Sequence, residues 1–267
     1  MATDEALLDA ARGDPDRAPV LRLYGWSRVT LSYGRGQAFS ETLERRAAIE
    51  GVVERVRRPT GGRAVLHDRE RTFSVVGSLD RPPFANSVRD VYAAVRRAVD
   101  RSLALLGVPV ESGPGRGPVL RRGSAPSRER GALDREACFR RAEAHEPHSA
   151  GRKLAGLAQV RRGRAFLVQG SIPLAGAGSS ARLFELDPTV CIDLESAIGA
   201  PIRIEDVDRA WFEGFGRTFG IEWFEARWSP IERRTRERHA VRHAHPKWIR
   251  CGRSADVFEP GPAAVNP

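Results

Sequence analysis

From Ser87 to Leu106 the apolar residues Val88, Val91, Tyr92, Val95, Val99, Leu103 and Leu106 fall on one stripe at helical spacing. Ser87 supplies an N-cap and Gly107 a C-terminal stop. A long helix with one apolar stripe needs an apolar surface to lie on, and short strands on both sides offer one. Upstream, residues 21–23, 28–33, 52–57, 64–66 and 72–76 read as strands. Downstream, 153–160 and 164–173 read as a hairpin around Arg161-Arg162-Gly163. Residues 3–12, and a segment capped by Ser40 running to Ile49, read as further helices. Strands and helices are interleaved irregularly and several turns are of hairpin length. The fold class is therefore α/β (α+β), a mixed, largely antiparallel sheet flanked by helices, rather than a doubly wound parallel sheet.

Residues 111–131 are rich in Gly, Pro, Ser and Arg and read as a loop inside the domain. From Asp187 the pattern changes to a helix over 205–219, a strand over 221–224 and an Arg-rich helix over 230–243. The division that follows is a main unit over 1–186 and a helical appendage over 187–267 that completes the same domain.

The chain has no run of 18 apolar residues, so no transmembrane helix is expected. The N-terminus shows no signal-peptide h-region. The three cysteines, Cys138, Cys191 and Cys251, lie far apart with no CxxC. That spacing fits a reducing cytoplasm and offers neither a disulfide framework nor a zinc site. The net charge of +10 suits an acidic partner. Nucleic acid is not favoured, because no recognised module or aromatic platform accompanies the arginines.

Of 44 basic residues, only Lys153 and Lys247 are lysines. In a chain that almost always uses Arg, a Lys marks a place where a compact charge is needed and a guanidinium is not. Lys247, beside Pro246 and Trp248, reads as structural or surface. Lys153 sits in Gly151-Arg152-Lys153-Leu154-Ala155-Gly156, entering a strand among glycines and small apolar residues. It reads either as a strand-edge charge or as a functional one.

Residues 57–68 run Arg-Arg-Pro-Thr-Gly-Gly-Arg-Ala-Val-Leu-His-Asp. Pro59 stiffens the entry, and Gly61 and Gly62 let backbone N–H groups approach a phosphate or a carbonyl oxygen. A hairpin turn with solvated arginines is the other reading. Cys138 has cationic neighbours that favour a thiolate, against its reading as a small buried hydrophobe. Asp4 and Glu5 read as acids complementing a helix dipole. His239, His243 and His245 read as a surface cluster rather than a metal site.

Taken in order, these segments resemble the biotin/lipoate protein ligase family, closest to its octanoyltransferase branch. The segments that match are 1–8, 21–27, 31–37, the 57–68 loop, 151–156 and 167–174. The resemblance covers about residues 1–175 well and implies a class II synthetase-like fold. It implies catalytic roles for Cys138, as an acyl thioester, and Lys153. Substrate contacts would come from Arg58, Thr60, Gly61, Gly62, Arg63, His67, Gly156 and Gln159. The implied activity moves an octanoyl or lipoyl group from octanoyl-acyl-carrier-protein to a lysine of a lipoyl-carrier domain. The acceptor would be the glycine-cleavage H protein or a 2-oxoacid dehydrogenase E2 subunit, and no cofactor would be used. One alternative is a lipoate–protein ligase that uses ATP and Mg, and another is a non-catalytic homologue. The chain departs from the family pattern at Leu157-Ala158, at Val168-Gln169 and at 145–148, where Pro147 cannot donate to a ladder. The family's first strand would precede Met1.

Overall fold

The structure, a computed structural model, describes residues 1–84, 87–111 and 146–252. In chain order the helices are α1 (Ala2–Gly13), α2 (Glu41–Ile49), α3 (Val88–Leu105), α4 (Ala177–Phe184), α5 (Leu194–Ile198), α6 (Ile204–Phe219), α7 (Pro230–Ala244) and α8 (Pro246–Cys251). The strands are β1 (Val20–Tyr24), β2 (Thr30–Tyr33), β3 (Glu54–Arg57), β4 (Val65–His67), β5 (Glu70–Ser78), β6 (His148–Ser149), β7 (Arg152–Lys153), β8 (Gly156–Arg162) and β9 (Ala165–Pro173). They form an antiparallel four-stranded sheet in the order β1-β5-β9-β8, a three-stranded sheet β3-β2-β4 and the small pair β6-β7. Among the strands described, β2 and β3 are the pair that run parallel. Among the described residues no helix is long and apolar enough to cross a membrane.

Alternation along the strands gives the larger sheet two different faces. One carries Phe73, Val75, Leu157, Phe166, Val168 and Ile172, and packs on α3 and α6 through Val91, Val95, Val99, Leu103, Trp211 and Phe215. The expected stripe of α3 is thus its buried face, and Ser87 and Asp90 close a capping box at its start. The other face carries Val76, Ala165 and Leu167 beneath Leu7, Leu8 and Ala11 of α1. Further along that face the residues turn polar, and there the second sheet approaches.

Three expectations are corrected. Residues 221–224 form no strand, because Gly220 ends α6 at φ 63° and Ile221 N–H turns back to the Gly216 carbonyl. Asp4 and Glu5 do not merely face the helix dipole. Both are fully buried; Asp4 accepts from Arg22, Tyr24, Ser74 and Gln169, and Glu5 pairs with Arg162, Arg242 and His243. The C-terminal histidines are not a surface cluster. His243 bonds Glu5 at 2.8 Å, His239 bonds Asp9 at 2.8 Å, and His245 caps α8. An Arg- and His-rich α7 is thereby fastened to an acidic α1.

This fastening predicts acid lability. Burial alone would raise the Glu5 carboxyl, but His243, Arg162 and Arg242 hold it well below the usual 4.5. Burial pushes His243 below its ordinary 6.5, although Glu5 opposes the shift. Both groups have depressed folded-state values, so their contributions are complete above the unfolded-state values and are lost as pH falls. The melting temperature should therefore decline below about pH 6.5 and more steeply below about pH 4.5. Glu5→Gln should shrink the steeper part. A melting temperature that stays level from pH 7 to pH 4 would contradict this account.

Candidate active site

The 57–68 loop is assembled by its own arginines. Arg58, 5% exposed, donates to the carbonyls of Ser32, Gly61 and Arg63 and to Ser32 Oγ at 2.5 Å. Its fork therefore holds the loop's backbone in a fixed curve. Arg57, fully buried, donates to carbonyls of Gly34, Arg35, Gln37, Ile249 and Arg250, joining the 34–37 turn to α8. Gly62 has φ +88°, a conformation that L side chains avoid. Gly34 passes so close that a Cβ there would fall on the Gly62 carbonyl. Gly62 and Arg63 remain exposed, so the loop's outer rim faces solvent.

Thr60 is buried and donates to Gln169 Oε1 at 2.7 Å, and Gln169 Nε2 donates to Asp4 at 2.7 Å. The departure at Val168-Gln169 thus has a structural use, since the amide links the loop to α1.

His67 lies at the centre of a buried polar network. Its Nδ1 meets Glu70 Oε1 at 2.7 Å, its Nε2 meets Ser32 Oγ at 2.6 Å, and Trp26 stacks on the ring at 4.1 Å. Glu70 also accepts from Trp26, Thr72 and Ser171. Burial would raise the Glu70 carboxyl, but His67 and these donors hold it below the usual range. Ser32, His67 and Glu70 have the connectivity of a hydrolase relay. Ser32 is fully buried, however, and takes a bond from Arg58, so the relay positions the loop and presents no nucleophile.

Lys153 is placed by a hairpin that the sequence disguised. Ala150 at φ 50° and Gly151 at φ 70° make a two-residue turn between β6 and β7. Register sets His148 opposite Lys153. The expected continuous strand over 153–160 is corrected, because β7 ends at Lys153 and β8 begins at Gly156. The reason is a change of partner. Lys153 N–H donates to the Val190 carbonyl and Ile192 N–H donates to that of Lys153, drawing the chain toward residues 190–192. Pro147 does not prevent the local pairing, since at this edge it only accepts, from Leu154 N–H at 2.9 Å.

Lys153 is 1% exposed and its Nζ lies 2.6 Å from Glu146 Oε2. Glu146 was missed in the sequence reading. The usable signal was the Ala150-Gly151 turn, which folds the chain just before Lys153 back along β7, but Ala is an uncommon residue at positive φ. Lys153 bridges Cys191, and paired residues share a face. Cys191 packs into the core of the second sheet, so Lys153 points to the same side. The Cys191 thiol is pushed up by burial and by Asp193, which makes it a poor nucleophile. Cys251 is exposed, and Cys138 lies outside the described residues.

Arg58, Thr60, Gly61, Gly62, His67 and Gly156 therefore share the region between the two sheets. Gly156 pairs with Ser171, which bonds Glu70 and so reaches His67. Gln159 does not join them. It pairs with Val168 on the α3 side of the sheet, and its Nε2 is buried without a hydrogen-bond partner.

A family model described as the lipoyl protein ligase A/B catalytic domain matches residues 1–215. Octanoyltransferase LipM of Kyrpidia tusciae is 32% identical over 272 residues, covering 93% of this chain and 92% of the relative. Octanoyltransferase LipM of Moorella thermoacetica is 31% identical and covers 94% of this chain and 92% of the relative. Among solved structures, lipoate-protein ligase A bound with ATP has a TM-score of 0.73 at 22% identity, over 94% of this chain and 93% of that one. A bi-partite lipoate protein ligase from Thermoplasma acidophilum, studied with its E2 lipoyl domain, has a TM-score of 0.70 at 19% identity, over 96% of this chain and 92% of that one. These likenesses bear out the mixed, largely antiparallel, class II synthetase-like fold expected from the sequence.

Proposed function

Because the chain belongs to the lipoyl protein ligase A/B catalytic-domain family, we propose that it is an octanoyltransferase of protein lipoylation working through a thioester on Cys138. The relatives named octanoyltransferase support the activity. The observation that carries the chemistry is the buried Lys153–Glu146 pair, a fixed ion pair on the motif that the resemblance makes catalytic.

In the first half-reaction the Cys138 thiolate attacks the thioester carbonyl of an octanoyl-carrier-protein. The donor's C–S bond breaks, and the carrier thiolate leaves and takes a proton. Backbone N–H groups of the Gly61-Gly62 loop or of residues 151–156 receive the developing oxyanion. The fixed charge of Lys153 favours the thiolate and orients the acyl carbonyl. In the second half-reaction a lysine amine of a lipoyl-carrier domain attacks the acyl-enzyme, and the C–S bond to Cys138 breaks as the amide forms. A thioester lies above an amide in free energy, so the transfer needs no nucleotide. A lipoyl domain is the natural acceptor class, in keeping with the E2 lipoyl domain studied beside the Thermoplasma ligase.

The test is intact mass spectrometry after mixing with octanoyl-carrier-protein without ATP, for wild type and Cys138→Ala. The expected result is a hydroxylamine-labile octanoyl adduct on wild type that the variant lacks. A well-folded wild type with no adduct, but with transfer of lipoate once ATP and Mg²⁺ are added, would replace this reading by the ligase reaction.

A further inference from the structure

We propose that the outer face of α7 is the docking surface for the acidic acyl-carrier-protein that donates the octanoyl group. This inference rests on the transferase reading above and says where its donor sits.

Helical spacing divides α7 into two faces. Glu232, His239 and His243 fall on one side, and that side is committed to the body of the protein. Glu232 pairs with Arg17 at 2.6 Å, His239 with Asp9 and His243 with Glu5. Ile231, Arg234, Arg238 and Val241, at i, i+3, i+7 and i+10, share the opposite side. Ile231 is 69% and Val241 65% exposed, and both arginines are exposed. With Thr235 and Glu237 these four line one open depression. Isolated exposed aliphatics need no explanation, but two that share a depression with a pair of cations form a patch. Among the described residues neither arginine has an ion-pair partner, and Arg238 donates only to Thr235 within its own helix.

The patch selects a protein partner with carboxylates around an apolar centre. Two guanidinium groups stand against one carboxylate, Glu237, in a chain of net charge +10. A phosphate backbone would leave Ile231 and Val241 against charge, and α7 carries no Phe, Tyr or Trp on which a base could stack. Two aliphatic side chains are too small an apolar face to seat a helix in a membrane interface.

Its place beside the site favours the donor over the acceptor. Helix α8 joins α7 to the 57–68 loop: Arg57 donates to the Ile249 and Arg250 carbonyls, and Trp248 donates to the Arg57 carbonyl. Lys247 and Arg250, exposed on α8, carry positive charge from α7 toward that loop, and Arg250 is only 3.8 Å-paired with an exposed Glu41. The outer face of α7 thus adjoins the site without forming it. An acceptor presents a lysine whose own short stem has to reach the acyl carbonyl, so its body sits at the mouth of the site. The donor's thioester hangs on a long prosthetic arm, so its body can rest on a neighbouring helix while the arm spans the remainder.

The experiment measures steady-state transfer to a lipoyl domain from two donors, octanoyl-carrier-protein and octanoyl-pantetheine, with carrier binding followed by calorimetry. Arg234→Glu/Arg238→Glu is expected to raise KM and Kd for octanoyl-carrier-protein at least tenfold. Its kcat, its KM for octanoyl-pantetheine and its KM for the lipoyl domain should stay within twofold of wild type. Ile231→Ser/Val241→Ser is expected to raise the carrier KM about fivefold, which a charge effect alone would not produce. Arg97→Glu/Arg101→Glu makes the same change of net charge on exposed arginines of α3, across the larger sheet from the loop, and should match wild type. An unchanged carrier KM in Arg234→Glu/Arg238→Glu, or an equal rise in the α3 variant, would overturn the proposal. So would an equal rise with octanoyl-pantetheine. A rise confined to the lipoyl domain would overturn it in favour of the acceptor, and loss of phosphatidylglycerol-vesicle binding with an unchanged carrier KM would overturn it in favour of a membrane. A wild type that binds octanoyl-carrier-protein without turnover, through a face that Arg234→Glu/Arg238→Glu abolishes, would keep the docking surface and sink the transferase reading. A wild type that neither binds nor uses that donor would sink both.

Discussion

Lys153→Met should abolish octanoyl transfer and destabilise the fold at the same time, and the two effects are separable. Lys153 is 1% exposed and its Nζ is 2.6 Å from Glu146. Removing the cation breaks a buried ion pair, which costs about 3–5 kcal/mol in comparable pairs. Glu146→Gln in the same chain removes the buried carboxylate as well, so the double variant should recover most of the stability in urea unfolding. It should not recover activity. A preorganised charge at a developing oxyanion is worth about 10²–10³ in rate, and the double variant should remain at least that far below wild type. Lys153→Arg should not rescue either, because a planar fork does not fit a slot that encloses an ammonium. Transfer by Lys153→Met within tenfold of wild type, in a single-turnover assay, would remove Lys153 from the chemistry.

Gly34→Ala should disable the loop without unfolding the protein. The added Cβ would land on the Gly62 carbonyl oxygen, with the carbonyl carbons of Gly62 and Gly61 also too close. Backbone cannot swing aside as a flexible side chain does, so the Thr60-Gly61-Gly62 segment must shift. Such overpacking costs about 1–3 kcal/mol. A displacement of about 1 Å at a positioning element is enough to lose about 100-fold in rate. Acyl-enzyme formation should fall by at least that factor while the melting transition remains cooperative. Gly36→Ala is the control: nothing lies within 4 Å of its added Cβ, and both rate and stability should match wild type. Equal behaviour of the two variants would mean that the loop's position is irrelevant to acyl capture.

The parts of this protein that could be read from sequence are those whose cause is local. Helix α3 announced itself through a 3.6-residue stripe and a Ser87 cap, and both features depend on residues a few positions apart. The 57–68 loop was legible because Pro59 and the adjacent Gly61-Gly62 pair mark a turn whose glycines can take the positive φ found at Gly62. Lys153 stood out because the chain otherwise uses arginine. Tertiary structure alone decided the rest. Glu146 became the partner of Lys153 through a turn at Ala150 that local preference does not favour. Gln159, expected from the resemblance to contact substrate, lies on the α3 side of the sheet, because a one-residue offset reverses a strand's faces and only pairing with β9 sets that parity. Asp4 and Glu5 passed for ordinary helix-start acids until Ser74, Gln169, Arg162 and His243, 70 to 238 residues away, closed around them. A charge's environment is set by whatever the folded chain brings to it, and no window of neighbouring residues contains that information.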